Sequence, residues 1–462
     1  MLFSGIPFLY YFLPAVLICY FLAPKAAKNS VLLLFSLVFY AWGEPKYVFL
    51  MMFTIVSGYV LGLLTEKYRG ADKAKLFVII AAVIDLAFLA LFKYADFFID
   101  SFNAATGLSL PLLKIALPVG ISFYTFQILS YNVDVYRGTV SAQRSLIKLA
   151  CYVTMFPQLI AGPIVRYHDI ERQLDNREYS FDKTAQGIRR FVIGLSKKVI
   201  IANSMGELCK AFTQSSEQSV LFFWQYAIAF SLQIYYDFSG YSDMAIGLGK
   251  ILGFEFMENF NYPYISKSIT EFWRRWHISL GSWFRDYVYI PLGGSRVSRI
   301  KWYRNIFVVW LLTGFWHGAA WNFIIWGLYF GVILVIEKFF LLKILEKSRV
   351  LGHVYVLFLV LISFVIFNAE NMNDAFRCIG GLFGSNTTGF AGAESIYYLK
   401  SYAALLVLAV IGATPVVKKL IAALENSKFF AVGEMAAAAG LFILCTAYLL
   451  DGSFNPFLYF RF

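Results

Sequence analysis

Two histidines hold most of the chemistry open to this chain. Only four histidines occur, and His317 stands in Thr313-Gly314-Phe315-Trp316-His317-Gly318, inside residues 305–336, a stretch without Asp, Glu, Lys or Arg. A polar ring in so apolar a run is costly to bury, which makes it a candidate functional group. Imidazole titrates near neutral pH and in its neutral form accepts a proton, the chemistry of a general base. The plain alternative is a neutral ring hydrogen-bonded to a backbone carbonyl at a helix break. His277 belongs to the most distinctive polar segment, Thr270-Glu271-Phe272-Trp273-Arg274-Arg275-Trp276-His277-Ile278-Ser279-Leu280-Gly281-Ser282-Trp283-Phe284-Arg285-Asp286-Tyr287. His168 and His353 read as loop or helix-end residues. The chain has no Gly-x-x-x-x-Gly-Lys-Ser/Thr loop, no Gly-x-Ser-x-Gly elbow and no His-Glu-x-x-His zinc pair. A histidine acting on an activated acyl donor needs none of them.

The elements that must position these residues are membrane helices. Hydrophobic residues make up 60% of the chain and charged ones 15%, and many apolar runs approach the ~20 residues that cross a bilayer. The runs continue from end to end without a polar linker, so residues 1–462 read as one all-α, polytopic domain. A net charge of +12 would raise the question of nucleic acid in a soluble chain. Here the basic residues gather in short connections, which the positive-inside rule explains, and no nucleic-acid partner is expected. The five cysteines (Cys19, Cys151, Cys209, Cys378, Cys445) are odd in number and include no Cys-x-x-Cys pair. They indicate neither a disulfide framework nor a metal site.

The charges also order the crossings. Lys25 and Lys28 mark an inner connection, residues 43–46 a short outer one, and Lys67, Arg69, Lys73 and Lys75 the next inner one. Asp96 and Asp100 then lie outside, and Arg137, Arg144 and Lys148 inside. No Lys or Arg precedes Lys25, so the first run lacks the basic start of a secretory signal and reads as a retained helix with its N-terminus outside. Residues 149–164 contain Pro157, Gly162 and Pro163 between basic flanks, which suggests a re-entrant segment. Residues 187–204 are ambiguous, because Lys197 and Lys198 interrupt them, while 220–238 look like a full span. Further on, residues 351–368 cross outward, 401–417 return, and 429–450 exit, leaving the tail outside. Both termini on one side require an even number of crossings, roughly ten.

Residues 305–336 are flanked by basic residues on both sides. As one helix they would run ~48 Å, against a hydrocarbon core of about 30 Å. A hairpin rooted in the cytoplasm fits better, with a first arm over 305–316, a break at Gly314 to Gly318, and His317 near mid-membrane; a single tilted span is the rival. Around His277, helical spacing places Trp273, Trp276, Leu280, Trp283 and Tyr287 on one face and Glu271, Arg275, Ser282 and Asp286 on another. That predicts a single amphipathic helix over 270–287. It would either lie in the headgroup region or line a cavity leading to His317, where Arg274, Arg275 and Arg285 would draw in an anionic donor such as a coenzyme phosphate.

Several motifs then resemble a known family. Leu117-Pro118-Val119-Gly120-Ile121-Ser122-Phe123-Tyr124-Thr125-Phe126-Gln127, Tyr236-Asp237-Phe238-Ser239-Gly240-Tyr241-Ser242-Asp243, residues 273–294, and Phe315-Trp316-His317-Gly318 with Asn322 resemble the membrane-bound O-acyltransferases (MBOAT). Phe39-Tyr40-Ala41-Trp42-Gly43-Glu44-Pro45 looks like the alginate O-acetyltransferase branch rather than the teichoic-acid D-alanyltransferase branch. The resemblance implies re-entrant and amphipathic helices around a central site, His317 as the active-site histidine, and His277 as a second functional one. Pro456-Phe457-Leu458-Tyr459-Phe460-Arg461-Phe462 resembles an aromatic tail motif whose tyrosine is proposed to carry the acyl group outward. Tyr459 is otherwise an aromatic-belt residue.

The function expected is transfer of an acetyl group from a cytoplasmic thioester, acetyl-CoA, across the cell (plasma or inner) membrane to hydroxyls of an exported, alginate- or cellulose-like polysaccharide. No bound cofactor is implied. A separate extracytoplasmic acetyltransferase or polysaccharide-export protein is the expected partner, because this chain shows no hydrolase-like domain. His317, His277 and Tyr459 are the catalytic candidates; Trp276, Arg274, Arg285, Trp316, Asn322 and Asp237 are candidates for binding donor or acceptor. A teichoic-acid D-alanyltransferase, or a non-enzymatic transporter or flippase, are the alternatives.

Overall fold

The computed structural model describes residues 3–160, 162–424, 430–452 and 457–458. Among them the regular structure is helical, apart from an isolated bridge between Ser219 and Gly389, so the expected all-α class holds. Six helices are long and apolar enough to cross a bilayer: Lys25–Gly43, Tyr47–Lys67, Asp72–Thr106, Arg349–Asn368, Ala393–Gly412 and Phe430–Asp451. They leave large apolar side chains such as Phe49, Val350, Leu408 and Leu450 exposed, as helices bathed in lipid do. The charge pattern suggests roughly ten crossings; the remaining helices are shorter, more polar or interrupted, and lie outside this set of six.

Contacts sort the chain into two compact units, Met1–Phe191 with Tyr241–Met257, and Val192–Gly240 with Glu258–Phe462. In the first, Ile121–Arg137 is buried along most of its length, and Gly58 and Gly62 of the neighbouring helix let Ile128 and Tyr131 come close. The segment expected to be re-entrant is broken. Leu146–Thr154 stops at Met155, and Phe156–Leu159 follows with Pro157 at its start. Residues 149–160 are all buried, the condition under which interrupted backbone is tolerated in apolar surroundings. His168 stands in the first turn of Tyr167–Asp175, with Nδ1 at 3.0 Å from Asp134 and Nε2 at 3.2 Å from Asp169. Those carboxylates, Asp134 foremost, raise the imidazole to about 9 and make it a structural cation.

In the second unit, residues 305–336 form the expected hairpin. Arg299–His317 and Trp321–Ile336 are separate helices, with Gly318 extended between them. They run antiparallel at very close range: a Cβ on Gly314 would lie 2.3 Å from the Phe323 carbonyl oxygen, and one on Gly327 would lie 2.3 Å from that of Trp310. Gly318 is similarly covered by the Phe323 ring. At the base, buried Asn305 donates to the carbonyls of Leu292 and Gly294 at 3.2 and 3.0 Å. Glu337, fully buried just past the second arm, accepts from the backbone N–H groups of Ile269 and Thr270. Its negative charge caps the start of Ile269–Arg275, where unpaired N–H groups and the helix dipole favour an anion. The hairpin therefore anchors the segment that carries His277.

The glycine crossing makes a direct prediction. Gly314→Ala drives a methyl into backbone that has no flexible end to yield, and is expected to cost about 1–3 kcal/mol or more. Gly433→Ala, with nothing within 4 Å of the added atom, is expected to be neutral or slightly stabilising. Thermal unfolding of the two detergent-solubilised variants measures the contrast; equal midpoints would mean that the helices are not held by this contact.

Candidate functional site

The structure corrects the single amphipathic helix expected over residues 270–287. Ile269–Arg275 ends at Trp276, which is extended, and His277 takes left-handed angles (φ 45, ψ 54). A new helix, Ile278–Phe284, then leads into a π-helical turn, Arg285–Tyr289. The cause is a loop earlier in the chain. Asn261 N–H donates to the Arg275 carbonyl at 2.9 Å and Ile278 N–H donates to the Asn259 carbonyl at 3.0 Å, so those groups leave the helical ladder. A non-glycine residue in this conformation costs about 1–3 kcal/mol and persists only where its surroundings fix it.

Those surroundings are polar on one side of the ring and aromatic on the other. His277 Nδ1 lies 3.1 Å from Asn259 Oδ1, and the same oxygen accepts from the backbone N–H of Ser279 at 3.2 Å and from its hydroxyl at 2.9 Å. Phe238 meets the imidazole edge-on at 4.6 Å, and Trp316 lies at 5.9 Å. Burial pushes the ring down to about 3, so His277 is neutral at pH 7. Its Nε2 is buried with no hydrogen-bond partner among the described residues.

Trp316 joins this ring to the other histidine. His317 ends the first arm of the hairpin, half-buried, with its ring 4.9 Å from Trp316, 5.0 Å from Trp326 and 5.2 Å from Phe367. The two histidines thus arrive on different segments and meet one indole. Phe367 also lines a cavity of about 610 Å³, together with Asn322, Phe323, Glu370, Asp374 and Arg377. Its wall mixes aromatic surface with amide and charged groups. Asn322 donates to the carbonyls of Phe367 and Ala369 at 3.3 and 3.0 Å, bracing that wall against the second arm.

The other residues singled out from the sequence separate. Trp276 is buried among Tyr235, Phe260, Phe272 and Phe364. Arg274 is exposed, Arg275 pairs with Glu271 at 2.9 Å, and Arg285 makes two bonds to Asp286 at 2.7 and 3.1 Å. Tyr459 lies outside the described residues. Among the described residues no group of three or more His, Cys, Asp or Glu could hold a metal ion. Asn259 and Ser279 escaped the sequence reading, since a loop amide and a serine carry no pattern of their own.

Asp237 has a different setting. It is buried, pairs with buried Lys198 at 2.5 Å, and its second oxygen accepts from the backbone N–H of Leu458 at 2.8 Å. The Lys198 ammonium also sits 4.7 Å above the ring of Phe457. The chain just before Tyr459 is therefore seated on a buried ion pair. Lys198 left a trace in the sequence, as a charge breaking an apolar run. Asp237→Asn removes the counter-charge of a buried lysine and is expected to cost about 3–5 kcal/mol. Combining it with Lys198→Met is expected to recover part of the loss; unfolding midpoints and protease cleavage of a C-terminal tag report the two effects.

Comparison with known proteins adds an independent line. The family model described as MBOAT, membrane-bound O-acyltransferase family, matches residues 79–369. The chain is 45% identical to a probable alginate O-acetylase of Azotobacter vinelandii over 389 residues, 83% of this chain and 78% of that one. It is 34% identical to a peptidoglycan O-acetyltransferase of Helicobacter pylori over 84% of this chain and 80% of that one. Similarity to a teichoic acid D-alanyltransferase of Bacillus subtilis is 33% identity over 48% of this chain and 59% of that one.

Proposed function

Since the chain belongs to the membrane-bound O-acyltransferase family, we propose that it takes an acetyl group from acetyl-CoA on the cytoplasmic side and moves it through the cell membrane to O-acetylate an exported polysaccharide. Membership makes it a multi-pass membrane enzyme that transfers acyl groups to oxygen, which sets aside the transporter and flippase alternative. Acetyl is favoured over D-alanyl because the O-acetylating relatives match over four-fifths of the chain and the D-alanyltransferase under half. A separate extracytoplasmic acetyltransferase or export protein completes the transfer, and both termini lie on that side.

The observation that carries this reading is the meeting of His277 and His317 on Trp316. An acceptor hydroxyl attacks the thioester carbonyl while His317 takes its proton; the C–S bond then breaks and the imidazolium returns that proton to the departing thiolate. Tyr459 is the first acceptor in the finer version. A phenol, whose pKa in water is near 10, needs such a base, and the aryl ester it forms passes the acetyl group to a sugar hydroxyl.

His317→Ala is expected to lower ester-linked acetate on the exported polymer by about 10²-fold or more, at equal protein levels; unchanged acetate would end the catalytic assignment. Tyr459→Phe separates the two routes. Loss of acetylation, with an acetylated C-terminal peptide detected by mass spectrometry in the unsubstituted enzyme, supports the covalent route, and full activity supports direct transfer.

A further inference from the structure

The bonds around Asn259 decide which nitrogen of His277 carries its proton. A backbone N–H can only donate, so the Asn259 side-chain atom that meets Ser279 N–H at 3.2 Å is the amide oxygen. The Ser279 hydroxyl donates to that same oxygen at 2.9 Å. His277 Nδ1, 3.1 Å from it, must then donate as well, because two lone pairs would otherwise face each other. Only one neutral tautomer satisfies all three contacts: hydrogen on Nδ1, lone pair on Nε2.

That lone pair is one of a few polar atoms the site leaves over, with Asn322 Oδ1 and Trp326 Nε1, and the one that belongs to a histidine. Nε2 is buried with no hydrogen-bond partner among the described residues, although leaving a buried acceptor without a donor is destabilising. The backbone at His277 is also held in a left-handed conformation to bring the ring there. Strain and an orphaned acceptor at one residue, beside the indole that adjoins His317, are features tolerated where a ligand supplies the missing partner.

We infer that Asn259 is a positioning residue for acyl transfer: it locks His277 in the Nδ1–H tautomer so that Nε2 receives a hydrogen bond from a substrate hydroxyl or amide. The inference rests on the acyl-transfer reading and adds to it the residue that sets the polarity of the second histidine. The groups that pack on the ring, Phe238 and Trp316 on its flanks and Asn259 and Ser279 at Nδ1, are uncharged. His317, which also meets Trp316, is the other titratable group of this cluster.

The test is the rate of acetyl transfer from acetyl-CoA to polymer in isolated membranes, followed from about pH 6 to about pH 9. Asn259→Asp keeps an oxygen for Nδ1–H but adds a negative charge that favours the imidazolium, whose Nε2 then carries a hydrogen and cannot accept one. Relative to the unsubstituted enzyme at the same pH, its rate is expected to be at least about tenfold lower at the acid end and to recover as pH rises and the ring loses its proton, a limb beyond any that the general base gives both enzymes; a histidine in the wrong tautomer or charge state can cost far more. A raised KM for acetyl-CoA in this variant identifies the donor's amide as the source of the hydrogen, and a lowered kcat at unchanged KM identifies the acceptor hydroxyl. A pH profile parallel to that of the unsubstituted enzyme overturns the inference. Should Asn259→Asp fail to accumulate, Asn259→Ser, which lacks the oxygen at that reach, gives the same decision: loss of at least about tenfold in rate supports it, full rate overturns it. His317→Ala run in parallel keeps the two levels apart, because full activity there defeats the acyl-transfer reading whatever Asn259 does.

Discussion

A helix interrupted in apolar surroundings leaves N–H and C=O groups that water cannot reach, and each must find a partner inside the protein. The two breaks that place the histidines show how this chain meets that demand. At the break before His277, residues 259–261 supply the partners, with backbone groups taking the bonds that the helix gives up. At the break after His317, glycines let two helices touch backbone to backbone, and Asn322 ties the start of the second arm to the end of Arg349–Asn368. The interruptions place ring nitrogens in the interior, and the local bonds make the interruptions affordable.

Buried charges serve the same end. Glu337 is fully enclosed yet accepts from two backbone N–H groups at a helix start, and so links the hairpin to the segment bearing His277. Lys198 and Asp237 neutralise one another and together seat the chain at Leu458. His168, in the first unit, is held as a cation between two carboxylates. These groups are architecture, and their fully paired state contrasts with the bare Nε2 of His277.

The two histidines consequently sit in unlike environments. His277 is enclosed, neutral and held through Nδ1 by an amide oxygen that also accepts from the backbone N–H and the hydroxyl of Ser279. His317 is half-buried at a helix end, next to the aromatic wall it shares with a cavity. A pair in which one ring is locked and the other more open suits a reaction with one proton to move and one dipole to hold. Membership of the membrane-bound O-acyltransferase family supplies the class of that reaction.

Much of this was legible in the chain itself. Composition and long apolar runs determined the solvent and the class, because a backbone in lipid must be satisfied internally and runs of this length do so as helices. The absence of charge from residues 305–336, long for one crossing and basic at both ends, favoured the hairpin over a single tilted span and singled out His317; the break at Gly318 decided it. Charge in apolar runs was equally visible at Lys198, but not its purpose, since the partner Asp237 and the backbone of Leu458 are remote in sequence. The helix over residues 270–287 was misread because periodicity reports which faces are apolar and not whether distant backbone will claim the ladder's hydrogen bonds. Only tertiary structure could decide that. It brought residues 259–261 against 275–279, broke the helix at His277, and thereby chose the tautomer, because a proton's position on an imidazole is set by what stands opposite each nitrogen.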